Sequence, residues 1–164
     1  MTEMVIYGVS FDLVGKQPIV LLKTSDGNRF LPIWIGQPEA ASILMRLQGA
    51  SAPRPLTHDL FTDTLAQLDA EVVRVCVTEL RDNTFHATIT IRQNGSELEI
   101  DSRPSDAIAL AVRADAPIFA DDAVIDESAI EFEGDDEEVL VADFKRFLEN
   151  VTPDEFAQEE EAGS

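Results

Sequence analysis

The sequence predicts an α+β fold: an antiparallel or mixed β-sheet with an N-terminal hairpin, a three-strand meander and about four packed helices. Three observations carry this. Alternating apolar and polar positions with tight-turn signals occur in two separated blocks. Apolar residues at helical spacing, introduced by prolines, lie between and after those blocks. The order is not a regular strand–helix–strand alternation, which disfavours a parallel α/β sheet.

Taken in order, Val5, Tyr7, Val9, Phe11 and Leu13 are apolar at every second position and predict a first strand. Ile19-Val20-Leu21-Leu22 reads as a buried strand, Asp26-Gly27 as its turn, and Phe30 to Ile35 as its hairpin partner. Pro32 weakens that partner strand or marks a sheet edge. Pro38 and Gly49 bracket a helix with Ala40, Ile43, Leu44 and Leu47 on one face. After the stiff Pro53-Arg54-Pro55 loop, Thr57 is the expected N-cap of a second helix. Leu56 and Phe61 form a hydrophobic staple there, and Leu60, Phe61, Leu65 and Leu68 a buried stripe.

Three strands follow, around Val73–Val77, Phe85–Ile91 and Leu98–Ile100, joined by Asp82-Asn83 and Asn94-Gly95. Their alternation predicts one dry and one wet face. Pro104 opens a third helix whose Ala107 to Val112 run is apolar all round, so it is expected to be central. Val139, Leu140, Phe144, Phe147, Leu148 and Val151 predict a fourth, docked helix. The expected organisation is one domain over residues 1–151 and an acidic, disordered tail over 152–164.

The 164 residues carry a net charge of −20. It is unevenly placed: residues 1–120 carry −5 and residues 121–164 carry −15. Passive electrostatic binding of nucleic acid needs Lys and Arg, so a body at −5 requires a divalent cation or a partner if it is to act on phosphates. The acidic C-terminal region could bind a basic partner. One cysteine, Cys76, rules out an internal disulfide framework and reads as a structural thiol. No signal peptide or membrane-length apolar run is present, so the expected location is cytoplasmic, with no membrane contact. The phosphate-binding, dinucleotide, zinc and nucleophile-elbow motifs are missing, and no organic cofactor is expected.

The candidate chemistry sits at helix starts: Glu39 after Pro38, His58 and Asp59 after Thr57, and Asp101-Ser102-Arg103-Pro104-Ser105-Asp106 at the third helix. Converging carboxylates suit Mg²⁺ or Mn²⁺, which activate water in phosphodiester hydrolysis. The expected metal ligands are Asp101 and Asp106 with Glu39, and Asp59 is the other acid weighed. His58 would move protons, and Arg54 and Arg103, with Ser105, would hold phosphate. The bland reading is that acids at a first helical turn answer the helix dipole and that Arg103 braces a strand–helix corner.

Three blocks resemble the bifunctional nuclease domain family: Leu31-Pro32-Ile33-Trp34-Ile35-Gly36 with Glu39-Ala40; Pro53-Arg54-Pro55-Leu56-Thr57-His58-Asp59-Leu60; and Asp101 to Ala111. They occur in order over roughly residues 4–125. The segment around Phe144 and Pro153-Asp154-Glu155-Phe156 resembles the end of bacterial members, many of which continue into a UVR motif that this chain stops short of. The resemblance implies an α+β domain, self-association into a homo-oligomer, and activity on RNA and DNA. Its motif residues here are Glu39, Arg54, His58, Asp59, Asp101, Arg103, Ser105 and Asp106. The rival expectation is a non-catalytic binding or regulatory module in which these residues are architectural. A small-anion sensor at the helix N-termini ranks below both.

Overall fold

The computed structural model describes residues 1–10 and 17–132, together with Ala142, Lys145 and Arg146. Phe11, Leu13, the predicted fourth helix apart from those three helical positions, and the tail lie outside the described residues.

The described chain runs β1 (Thr2–Ser10), β2 (Ile19–Thr24), β3 (Arg29–Trp34), α1 (Gln37–Leu47), α2 (Thr57–Gln67), β4 (Ala70–Arg81), β5 (Thr84–Gln93), β6 (Ser96–Ser102), α3 (Pro104–Ala114), β7 (Ile118–Ala120), α4 (Asp122–Ser128) and β8 (Ile130–Glu131). The strands form one mixed sheet in the order β6-β5-β4-β7-β1-β2-β3-β8. Its pairs are antiparallel except β4 with β7. The α+β class is as the sequence predicts.

The hairpin and meander form for the expected reasons. β2 and β3 pair with Leu21 opposite Pro32. β8 pairs with Arg29 and Phe30 of β3, so Pro32 lies past it, where no described strand pairs with that edge. The meander turns place Asp82, Asn83, Asn94 and Gly95 at positive φ, the conformation these residue types tolerate best.

Four sequence readings need correction. In β1 the inward residues are Met4, Ile6 and Val9, not the odd-numbered set, because an irregularity between Ile6 and Gly8 shifts the register. In β4, breaks after Val72 and Val77 do the same, so Val72 and Val75 both face the core and Val73 does not. The dry face of the meander stops at β5: Leu98 and Ile100, paired with Ile91 and Ile89, are exposed on the outer strand. The fourth concerns α2, whose N-cap is Leu56 rather than Thr57. Its Leu60 and Leu68 are 59% and 57% exposed, and Phe61 is exposed too. Only Leu65 of the predicted stripe packs on the core. Helix α1 shows a milder version, with Ala40 and Ile43 buried and Leu47 exposed. The sequence pattern does not predict the short β7, α4 and β8. α4 is opened by Asp121, whose carboxylate accepts the Ala123 N–H at 3.1 Å.

The main core lies between one sheet face and the helices, with the apolar run Ala107–Ala111 of α3 at its centre. α3 packs on β4 and β5, and α1 and α2 pack on α3. A second cluster, Leu21 and Phe30 with Tyr7 and Phe132, is built from rings 5.2–5.3 Å apart. Burying α3 on every side is what brings the first turns of α1, α2 and α3 together.

Candidate active site at three helix starts

Each of the three helices contributes its first turns. Pro38 lies in the first turn of α1 and Glu39 follows it. The Glu39 carboxylate folds back over Gly36, where an added β-carbon would collide with it. In α2 the residues turned toward the body are His58, Asp59, Thr62 and Leu65, so this helix presents a mainly polar edge inward. Asp59 caps α2, accepting the Leu56 N–H at 2.9 Å. In α3, Pro104 fixes the first turn and Asp106 closes it.

The side chains join into one continuous hydrogen-bonded chain. Arg103 donates from Nη2 to Glu39 Oε1 at 3.0 Å and from Nε to Asp106 Oδ2 at 2.9 Å. Asp106 Oδ1 lies 2.9 Å from His58 Nε2, and His58 Nδ1 lies 2.8 Å from Ser42 Oγ. Arg113 donates to Ser42 Oγ at 2.9 Å, to the Ser42 and Ala109 carbonyls, and to Asp59 Oδ1 at 2.6 Å. Three carboxylates face two guanidinium groups, which leaves one negative charge while His58 is neutral.

The charges are held where they are needed. Asp59 is pushed below the usual carboxylate range, first by the Arg113 hydrogen bond and then by the Leu56 N–H. At Asp106 burial acts upward, but the hydrogen bonds from Arg103 and His58 outweigh it and the net shift is downward. Asp106 and Glu39 in turn raise Arg103 above its ordinary value. Exposure is graded across the network: the Arg103 side chain is 64% exposed, Asp106 32%, His58 13% and Arg113 6%. Arg103 is therefore the contact that meets solvent, and Arg113 is the buried anchor. The Nη1 of Arg103 has no hydrogen bond to a described residue, which leaves a donor for an incoming anion.

The structure thus brings together Glu39, His58, Asp59, Arg103 and Asp106. It does not bring Asp101, which lies exposed on β6 opposite Thr88. Arg54 is exposed on the loop before α2, and Ser105 is buried in α3; neither shares a hydrogen bond with the network. Among the described residues no group of three or more potential ligands is placed to hold a metal ion. Glu39 and Asp106 are the two expected ligands that approach each other, and the Arg103 guanidinium stands between them. As arranged, the donor set does not fit Mg²⁺ or Mn²⁺: a cation would have to displace Arg103. Sequence reasoning missed Ser42 and Arg113. Cys76, with its thiol pushed up to about 11 mainly by burial, takes no part.

Comparison with known proteins places this cluster in context. A family model described as the bifunctional nuclease domain matches residues 20–133, which contain every network residue. An uncharacterised protein of Mycobacterium tuberculosis is 39% identical over 164 residues, covering 95% of this chain and 98% of that protein. Bifunctional nuclease 1 of Oryza sativa subsp. japonica is 28% identical over 103 residues, 60% of this chain and 31% of the plant protein. Bifunctional nuclease 1 of Arabidopsis thaliana is 29% identical over 105 residues, 62% and 32% of the respective chains. No described helix is long and apolar enough to cross a membrane.

Proposed function

Because the chain belongs to the bifunctional nuclease domain family, we propose that it is a nuclease that hydrolyses phosphodiester bonds in RNA and in single-stranded or flexible DNA at the Glu39–Arg103–Asp106–His58 cluster. The observation that carries this reading is the single network joining three helix starts, built from residues of all three family-like blocks. Arg103 binds a phosphate oxygen through Nη1 and loosens its hold on Asp106 as it does so. The freed Asp106 Oδ2 then orients the attacking water and takes its proton as the water oxygen bonds to phosphorus; the P–O bond to the leaving sugar oxygen breaks and solvent protonates that oxygen, while His58 keeps the other carboxylate oxygen in place. Arg54, at the mouth of α2, supplies a second positive charge for the strand.

The test uses purified full chain and end-labelled RNA and single-stranded DNA, with Mg²⁺, Mn²⁺ or EDTA. Cleavage is expected, with Arg103→Ala raising KM about tenfold through loss of the phosphate contact. Absence of cleavage under all three conditions overturns the reading. A second reading draws on the same network: every carboxylate in it is already paired with a cation, as in an architectural corner. A non-catalytic nucleic-acid-binding module then follows, and binding without turnover in this assay identifies it.

We further assign the exposed apolar residues Leu60 and Phe61 of α2, Leu68 just after it, and Leu98 and Ile100 of β6 to self-association as a homo-oligomer. Sedimentation velocity is expected to show an oligomer that Leu60→Glu with Phe61→Glu converts to monomer. A wild-type monomer at tens of micromolar overturns the assignment.

A further inference from the structure

Two residues outside the family-like blocks decide how His58 presents its proton. Arg113 is almost fully buried and spends its N–H groups on Asp59, the Ala109 carbonyl, the Ser42 carbonyl and Ser42 Oγ. The Ser42 hydroxyl, buried in the middle of α1, has one proton to give. Arg113 donates to its oxygen, and among the described residues the acceptor within hydrogen-bond reach of that proton is His58 Nδ1, 2.8 Å away. Nδ1 is then an acceptor, and the ring proton sits on Nε2, 2.9 Å from the Asp106 carboxylate. The donor order runs from Arg113 through Ser42 and His58 to Asp106.

We infer that Ser42 and Arg113 are positioning residues that hold His58 in its Nε2–H tautomer, with the ring oriented toward Asp106. Ser42 is not itself a nucleophile in this arrangement: its hydroxyl is buried and engaged by both neighbours. The hydrogen-bond order stands on geometry alone, and its effect on turnover rests on the nuclease reading above.

The experiment is nitrogen NMR on the ¹⁵N-labelled full chain, which has only two histidines; His86→Gln identifies the His58 signals. In the wild type, the proton is expected on Nε2, and Nδ1 is expected at the position of a hydrogen-bonded acceptor. In Ser42→Ala, whose fold is checked from its amide spectrum, Nδ1 is expected to move to the position of a free imine nitrogen. The same variant is expected to lower kcat about tenfold with KM within about twofold. A wild-type proton on Nδ1 overturns the inference without any variant. So does a Ser42→Ala protein whose Nδ1 signal stays put, even if its activity falls. An inactive wild type overturns the nuclease reading and leaves the nitrogen result to decide this one.

Discussion

Asp106→Ala is expected to lower the rate of phosphodiester cleavage by about 100-fold or more, the range associated with loss of a positioned proton-transfer or water-orienting group. Asp106 is where the two arms of the network meet: Arg103 on Oδ2 and His58 on Oδ1. Removing it leaves Arg103 with Glu39 alone and His58 Nε2–H without its acceptor. The chain still folds, because Asp106 is partly exposed and the α3 packing rests on Ala107–Ala111. Asp101→Ala is the control. That side chain lies on the outer strand, away from the network, and its loss is expected to change the rate by less than about twofold. Single-turnover cleavage of labelled RNA by the two variants checks both. Equal losses would restore Asp101 to the site; no loss at Asp106 would remove the site from this cluster.

The largest effect on stability is expected at Arg113. Arg113→Met removes hydrogen bonds to Asp59, to the Ala109 and Ser42 carbonyls and to Ser42 Oγ in a place with little access to water. Losing charged hydrogen bonds at a buried position costs about 3 kcal/mol. With a urea slope of about 2 kcal/mol/M, the midpoint falls by about 1.5 M at unchanged slope. Arg46→Met, which removes one exposed 3.4 Å contact to Val112, is expected to change stability by less than about 0.5 kcal/mol. The Arg113–Asp59 pair also sets a pH dependence. Asp59 titrates below its ordinary 3.8 in the folded chain. On acidification the unfolded chain therefore takes up this proton first. The stability from the pair is complete above about pH 5 and is lost as pH falls through the ordinary value toward the folded one. Urea midpoints between pH 7 and pH 3 are expected to fall less steeply in Arg113→Met than in the wild type.

The sequence was informative where one periodicity and one turn chemistry acted together. The β2–β3 hairpin, the meander turns and the central α3 all follow from local pattern. It misleads at α2, where the apolar stripe of Leu60, Phe61 and Leu68 predicts an inward face that the structure leaves exposed. Inward there are His58, Asp59, Thr62 and Leu65, because the polar ends of three helices must be satisfied together. Register breaks in β1 and β4 shift which residues face the core without leaving a mark in composition. The segments β7, α4 and β8 are two to seven residues long, too short for a period to show. Four of the five carboxylate and histidine candidates meet in the structure, at helix starts that prolines and a turn signal mark in the sequence. Asp101 does not join them, because its nearness in sequence to Asp106 is undone by the strand–helix corner between them. Arg113 could have been found: it is seven residues after Asp106, on the same face of a helix otherwise apolar through its middle. Ser42 had no such signal, since it is off the apolar stripe of α1.

The order of strands has a consequence for how the chain is made. β7 lies between β1 and β4, pairing Thr2 with Ala120 and Met4 with Ile118 on one side and Val75 with Ile118 on the other. A ribosome therefore delivers β1, β2 and β3 as one set and β4, β5 and β6 as another, with the facing edges of β1 and β4 unpaired. The three-residue strand that unites them emerges only after all six, and it follows directly on α3, which carries Arg103, Asp106 and Arg113. A nascent chain halted before Ile118 holds two unjoined strand sets, and one halted before Arg113 also lacks the buried anchor of the charge network.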